Sequence, residues 1–74
     1  MAANLARAQA HVEEAERHIA SQEDVIRRQA EGGRDTAVAE NLLRLLREIH
    51  AQLKQHRDQI AAVLQGNSSA GNSN

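Results

Sequence analysis

The sequence predicts an all-α protein: an antiparallel, coiled-coil-like two-helix hairpin that dimerises into a four-helix bundle. Three observations carry this. Residues 3–31 and 36–65 consist largely of Ala, Glu, Gln, Arg and Leu, all strong helix formers. Apolar residues in both stretches recur at steps of three and four, the rhythm of a heptad seam. Between them lies Glu31-Gly32-Gly33-Arg34, where glycine supplies the left-handed conformation that commonly closes a helix.

The first helix is expected over 3–31. Leu5, Val12, Ile19 and Ile26 form the large-residue side of its seam, and Ala8, Ala15 and Gln22 the other side, continued by Gln29. The turn spans 32–35. Asp35 or Thr36 can cap the second helix by accepting from its free N–H groups. A capping box from Thr36 would need Glu or Gln at position 39, where Ala39 stands. The second helix is expected over 36–65, with a seam of Ala39, Leu42, Leu46, Ile49, Leu53, His56, Ile60 and Val63, and with Leu43 and Leu45 widening the apolar strip to either side. Residues 1–65 thus make one helical hairpin. Gly66 stops the helix, and 66–74, all Gly, Asn, Ser and Ala, read as a disordered tail.

Two helices of about 29 residues are each roughly 40 Å long, and a short turn makes them antiparallel neighbours. The chain has 74 residues and no Cys, Pro, Phe, Trp or Tyr; 14 of its apolar residues are Ala. So small a scaffold normally needs disulfides, a metal or oligomerisation. Without Cys, disulfides and thiol chemistry are excluded. The apolar strip of the second helix is also wider than one partner helix covers. A homodimer follows as the expectation, with Leu5, Val12, Ile19, Ile26, Leu42, Leu45, Leu46, Ile49, Leu53, His56 and Ile60 as its interface. The same surface could take partner helices of another protein.

Charge argues against other partners. Nine Lys and Arg against ten Asp and Glu leave a formal charge of −1, short of the basic patch that drives nucleic-acid binding. Without aromatics there is no platform for stacking bases. No apolar run approaches the ~18 residues of a membrane span, and Met1–Ala10 lacks the basic-then-apolar order of a signal peptide. A cytoplasmic location is the expectation.

Three stretches carry a resemblance: residues 15–26 (AERHIASQEDVI), residues 33–43 (GRDTAVAENLL), and His56-Arg57-Asp58. Together they resemble a recurring pattern in short uncharacterised proteins of alphaproteobacteria, over about residues 11–60. The resemblance implies a helical hairpin of unknown function and brings no catalytic or ligand residues with it.

The four histidines are the main chemical candidates. Folding back at Gly32-Gly33 sets His11 level with His56 and His18 nearly level with His50. Imidazoles are common transition-metal ligands, so a His-based metal-binding bundle is one alternative. The Glu-x-x-His signature of di-iron bundles is absent, and Glu14 can pair locally with His11 and His18. His50 reads as the edge of the second helix's face. His56 reads as a seam residue that hydrogen-bonds Gln9 or a dimer mate and fixes register. A second alternative is phosphotransfer on His50: Glu48-Ile49-His50 followed by Lys54 faintly matches a kinase phosphoacceptor segment. The match departs at Ala51 and Gln52 and lacks the downstream Asn.

No phosphate loop with Walker spacing is present. Ser21 is the only Ser before the tail, so no Ser-His-acid triad is in prospect. Glu13-Glu14 and Glu23-Asp24 are adjacent and diverge on a helix. The expectation is therefore a non-enzymatic chain with no cofactor and no metal. Gln22 is read as a seam polar residue that disfavours wrong pairings, so that Gln22→Leu should raise stability.

Overall fold

A computed structural model describes residues 2–73, with side chains described over 3–66. It is an all-α helical hairpin. Helix α1 spans Ala2–Glu31 and helix α2 spans Ala37–Ser73. They form a rod 62 × 18 × 12 Å. Among the described residues, no helix is long and apolar enough to cross a membrane.

The turn shows why the chain reverses where it does. Gly33 has φ +73°, a conformation that costs an L-residue about 1–2 kcal/mol. Its N–H donates to the Ala30 carbonyl (3.1 Å), and the Arg34 N–H donates to the Gln29 carbonyl (2.8 Å). This is the Schellman pattern, which satisfies carbonyls that the last helical turn leaves open. Asp35 supplies the cap: its carboxylate accepts from the Ala37 N–H at 2.9 Å. The Thr36 hydroxyl instead turns to Glu40 of the next turn.

The seam of α1 is the one its spacing predicts. Ala8, Val12 and Ala15 are buried, and Leu5, Ile19, Gln22, Ile26 and Gln29 are half-buried. Val12 is 1% exposed, the most covered large side chain. Burying it contributes roughly 1.5–3 kcal/mol. The alanines keep this strip flat, so α2 lies close against it.

The seam of α2 differs from the expected one. Ala39 is buried, and Leu43, Leu46, His50, Leu53, Arg57, Ile60 and Leu64 are half-buried. Leu46, Leu53 and Ile60 stand where they were expected. Leu42, Ile49, His56 and Val63 do not: all four are exposed on the adjacent face. The reason is that the second helix carries two interleaved three-four series. α1 takes the one containing His50 and Arg57, because it presents partners for both.

Those partners also set the register, in which the numbers of facing residues add up to about 66. Glu16 Oε2 lies 3.1 Å from His50 Nε2, and Arg57 Nη1 donates to Gln9 Oε1 at 3.0 Å. Arg57 thus fills the role the sequence suggested for His56. Its stem packs in the seam while its head reaches the rim. Nearer the turn, Gln22 Nε2 donates to the Ala39 carbonyl at 3.0 Å. The exposed pair Glu23–Arg47 (3.0 Å) adds at most about 1 kcal/mol.

The end of α2 is a second difference. The helix continues through Gly66 to Ser73, where the sequence predicts a stop and a tail. Glycine in a helix interior costs only about 1 kcal/mol against Ala, so one Gly without a left-handed successor does not end a helix. With this register Ala2 stands level with Leu64, and the last turns of α2 extend past α1.

Candidate functional site

The second series of α2 makes the molecule's most distinctive surface. Leu42, Leu45 and Ile49 are 46%, 55% and 49% exposed, and Val63 is 54% exposed. Gln52, His56 and Gln59 lie between them at the same three-four steps. On a helix these positions form one stripe, about a quarter-turn round from the seam. The stripe is most apolar near the turn and more polar towards the open end.

Residues seven apart stack on nearly the same side of a helix. On α1, one such column is Asn4, His11, His18 and Val25. The observed register sets it beside the stripe of α2 as four rungs: Val25 with Leu42, His18 with Ile49, His11 with His56, and Asn4 with Val63. One broad face of the hairpin therefore carries three of the four histidines and the main exposed aliphatics.

At the open end this face dips into a groove of about 560 Å³. Its floor is Ala8, Ile60 and Leu64, and its walls are Asn4, Arg7 and His11 from α1 and His56, Gln59 and Val63 from α2. The dip arises because Ala8 offers only a methyl group beneath the larger side chains of α2. Among the described residues no carboxylate lines it.

The histidines divide into two kinds. His50 belongs to the seam, with its side chain 19% exposed and its Nε2 against Glu16. His18 is exposed, with Nε2 3.9 Å from Glu14 one turn away. His18 and His50 are therefore tied to different glutamates and form no pair. His11 and His56 do share a site, the groove, and among the described residues no hydrogen bond or ion pair holds either ring. No three His, Asp or Glu among the described residues converge as metal ligands within one chain.

Of the residues expected at an interface, Leu5, Val12, Ile19, Ile26, Leu46, Leu53 and Ile60 are spent on the seam inside the hairpin. Leu42, Leu45, Ile49 and His56 face outward. Sequence reasoning missed Arg57 and His50 as seam residues, and the signal that could have found them is the facing Gln9 and Glu16. The one buried side-chain polar atom without a partner among the described residues is Gln29 Oε1, beside the turn. No protein-family model, curated protein or solved structure matches this chain.

Proposed function

We propose that this chain is a non-enzymatic module that works by helix–helix association, in the first place with a second copy of itself. The observation that carries the reading is the exposed stripe Leu42–Leu45–Ile49–Val63 on an otherwise charged rod.

Apolar residues on two adjacent sides of α2 are what a helix in a four-helix bundle requires, one side for its hairpin neighbour and one for the next hairpin. Partner helices of another protein would use the same stripe. Phosphotransfer on His50 draws no support from the geometry, since the ring is largely covered and its Nε2 faces Glu16. The test is the mass in solution by light scattering across a concentration series. The expected result is twice 8.1 kDa at high concentration. A monomer at every concentration sinks the reading.

A further inference from the structure

The two unheld imidazoles of the groove have a use that one chain cannot complete. His11 and His56 come from different helices, stand on one rung, and wall the same groove. His18 and His50 are each set against a glutamate. Two imidazoles make half of a tetrahedral site, which normally needs four ligands, or three and a water.

A second copy supplies the other half if the rungs stack like on like. A two-fold axis running along the rod, between two facing hairpins, lays α2 of one copy over α1 of the other. Leu42 then meets the partner's Val25, Ile49 the partner's His18, and His56 the partner's His11. The apolar Val25–Leu42 rungs meet at the turn end, and the two grooves merge at the other. Reversing one hairpin would instead set Leu42 against Val63 and Ile49 against His56, and would carry the two grooves to opposite ends of the dimer.

We propose that His11 and His56 of two copies together form a transition-metal site on the dimer axis, with the two turns at the same end. The inference rests on the self-association proposed above. All-imidazole ligation suits zinc, copper, nickel or cobalt, and excludes calcium and magnesium, which take oxygen ligands. Arg7 is the one charged side chain among the described residues of the groove; its length lets the guanidinium turn to solvent, away from the metal.

The experiment is calorimetric titration of the metal-stripped chain with zinc, with light scattering before and after. The expected result is one zinc per two chains at micromolar concentration, in a dimer. His11→Ala and His56→Ala should each weaken binding by more than about 100-fold, since loss of a group that merely orients a ligand already costs 10–100-fold. His18→Ala, outside the groove, should bind as the parent does. Both groove histidines are exposed, so these variants should keep the parent's helical circular dichroism.

A dimer that takes up no zinc overturns this inference and leaves the proposed function standing. A chain monomeric with and without zinc overturns both. Binding of one zinc per chain, or binding unchanged by His11→Ala and His56→Ala, also overturns the site. A monomer that becomes a dimer only with zinc supports the site and shows that the apolar stripe alone does not hold two copies together.

Discussion

Leu45→Asp separates the isolated hairpin from the assembled one. In a lone hairpin Leu45 is 55% exposed, and a surface change of this kind usually moves stability by no more than about 0.5 kcal/mol. In a dimer built on the α2 stripe, the remaining half of Leu45 is buried on association. Half of a full leucine burial is about 0.75–1.5 kcal/mol, and the dimer contains two. A carboxylate in its place adds a desolvation penalty of several kcal/mol for each ion that stays buried. Even after relaxation, a loss of about 3 kcal/mol or more is expected, which is over 100-fold in Kd. Sedimentation equilibrium of parent and variant over the same concentrations measures it. Helix content should fall only as far as dissociation itself unfolds the chain, making the melting temperature depend on concentration. A Kd unchanged within threefold would refute the assignment of this stripe to the interface.

Other substitutions probe the hairpin itself. Val12→Ala removes the best-buried aliphatic and should cost about 1.5–3 kcal/mol, read as a lower urea midpoint at unchanged slope. Gly33→Ala and Gly66→Ala should move in opposite directions on thermal melting. The first forces an L-residue into φ +73° at about 1–2 kcal/mol, while the second replaces a helical glycine with open space around it and should gain up to about 1 kcal/mol. Gln29→Leu removes a buried oxygen that has no partner and should stabilise by about 1 kcal/mol. Gln22→Leu should gain less, because it breaks the bond to the Ala39 carbonyl, itself worth about 0.5–1.5 kcal/mol. Equal gains at both positions would mean that this bond contributes nothing.

The contrast between the two glutamines shows what was legible in advance. Spacing alone placed Gln22 and Gln29 in the seam, and Gln22→Leu was expected to stabilise. It could not show that one amide reaches a backbone carbonyl of the other helix while the other does not. The whole α1 strip from Leu5 to Gln29 was readable, because Arg and Glu fill the flanks and leave one apolar series. So was the turn, since Gly33 is the left-handed residue that closes the helix. The second helix was half readable. Its leucines serve two series at once, and hydrophobicity alone preferred Ile49 and Val63 to His50 and Arg57. The choice lay in what stands opposite, Glu16 and Gln9, which is information about pairs of residues. Gly66 misled for a related reason: a helix stop needs a satisfied left-handed cap, and a lone glycine is only one part of it.

The Schellman turn also bears on the order in which the hairpin closes. The Gln22–Ala39 bond spans 17 residues and the Gln9–Arg57 bond spans 48. Closing the longer loop first costs about 0.9 kcal/mol more in chain entropy. Folding therefore zips outward from Gly33, and the groove rungs, His11 with His56 and then Asn4 with Val63, are last to form and first to fray. Backbone amides near the groove should exchange with solvent by local opening, while those around Ala39 and Gln22 wait for global unfolding. Any ligand that pins the groove would close the end where unzipping starts, and so slow the whole hairpin's opening while touching only its far end.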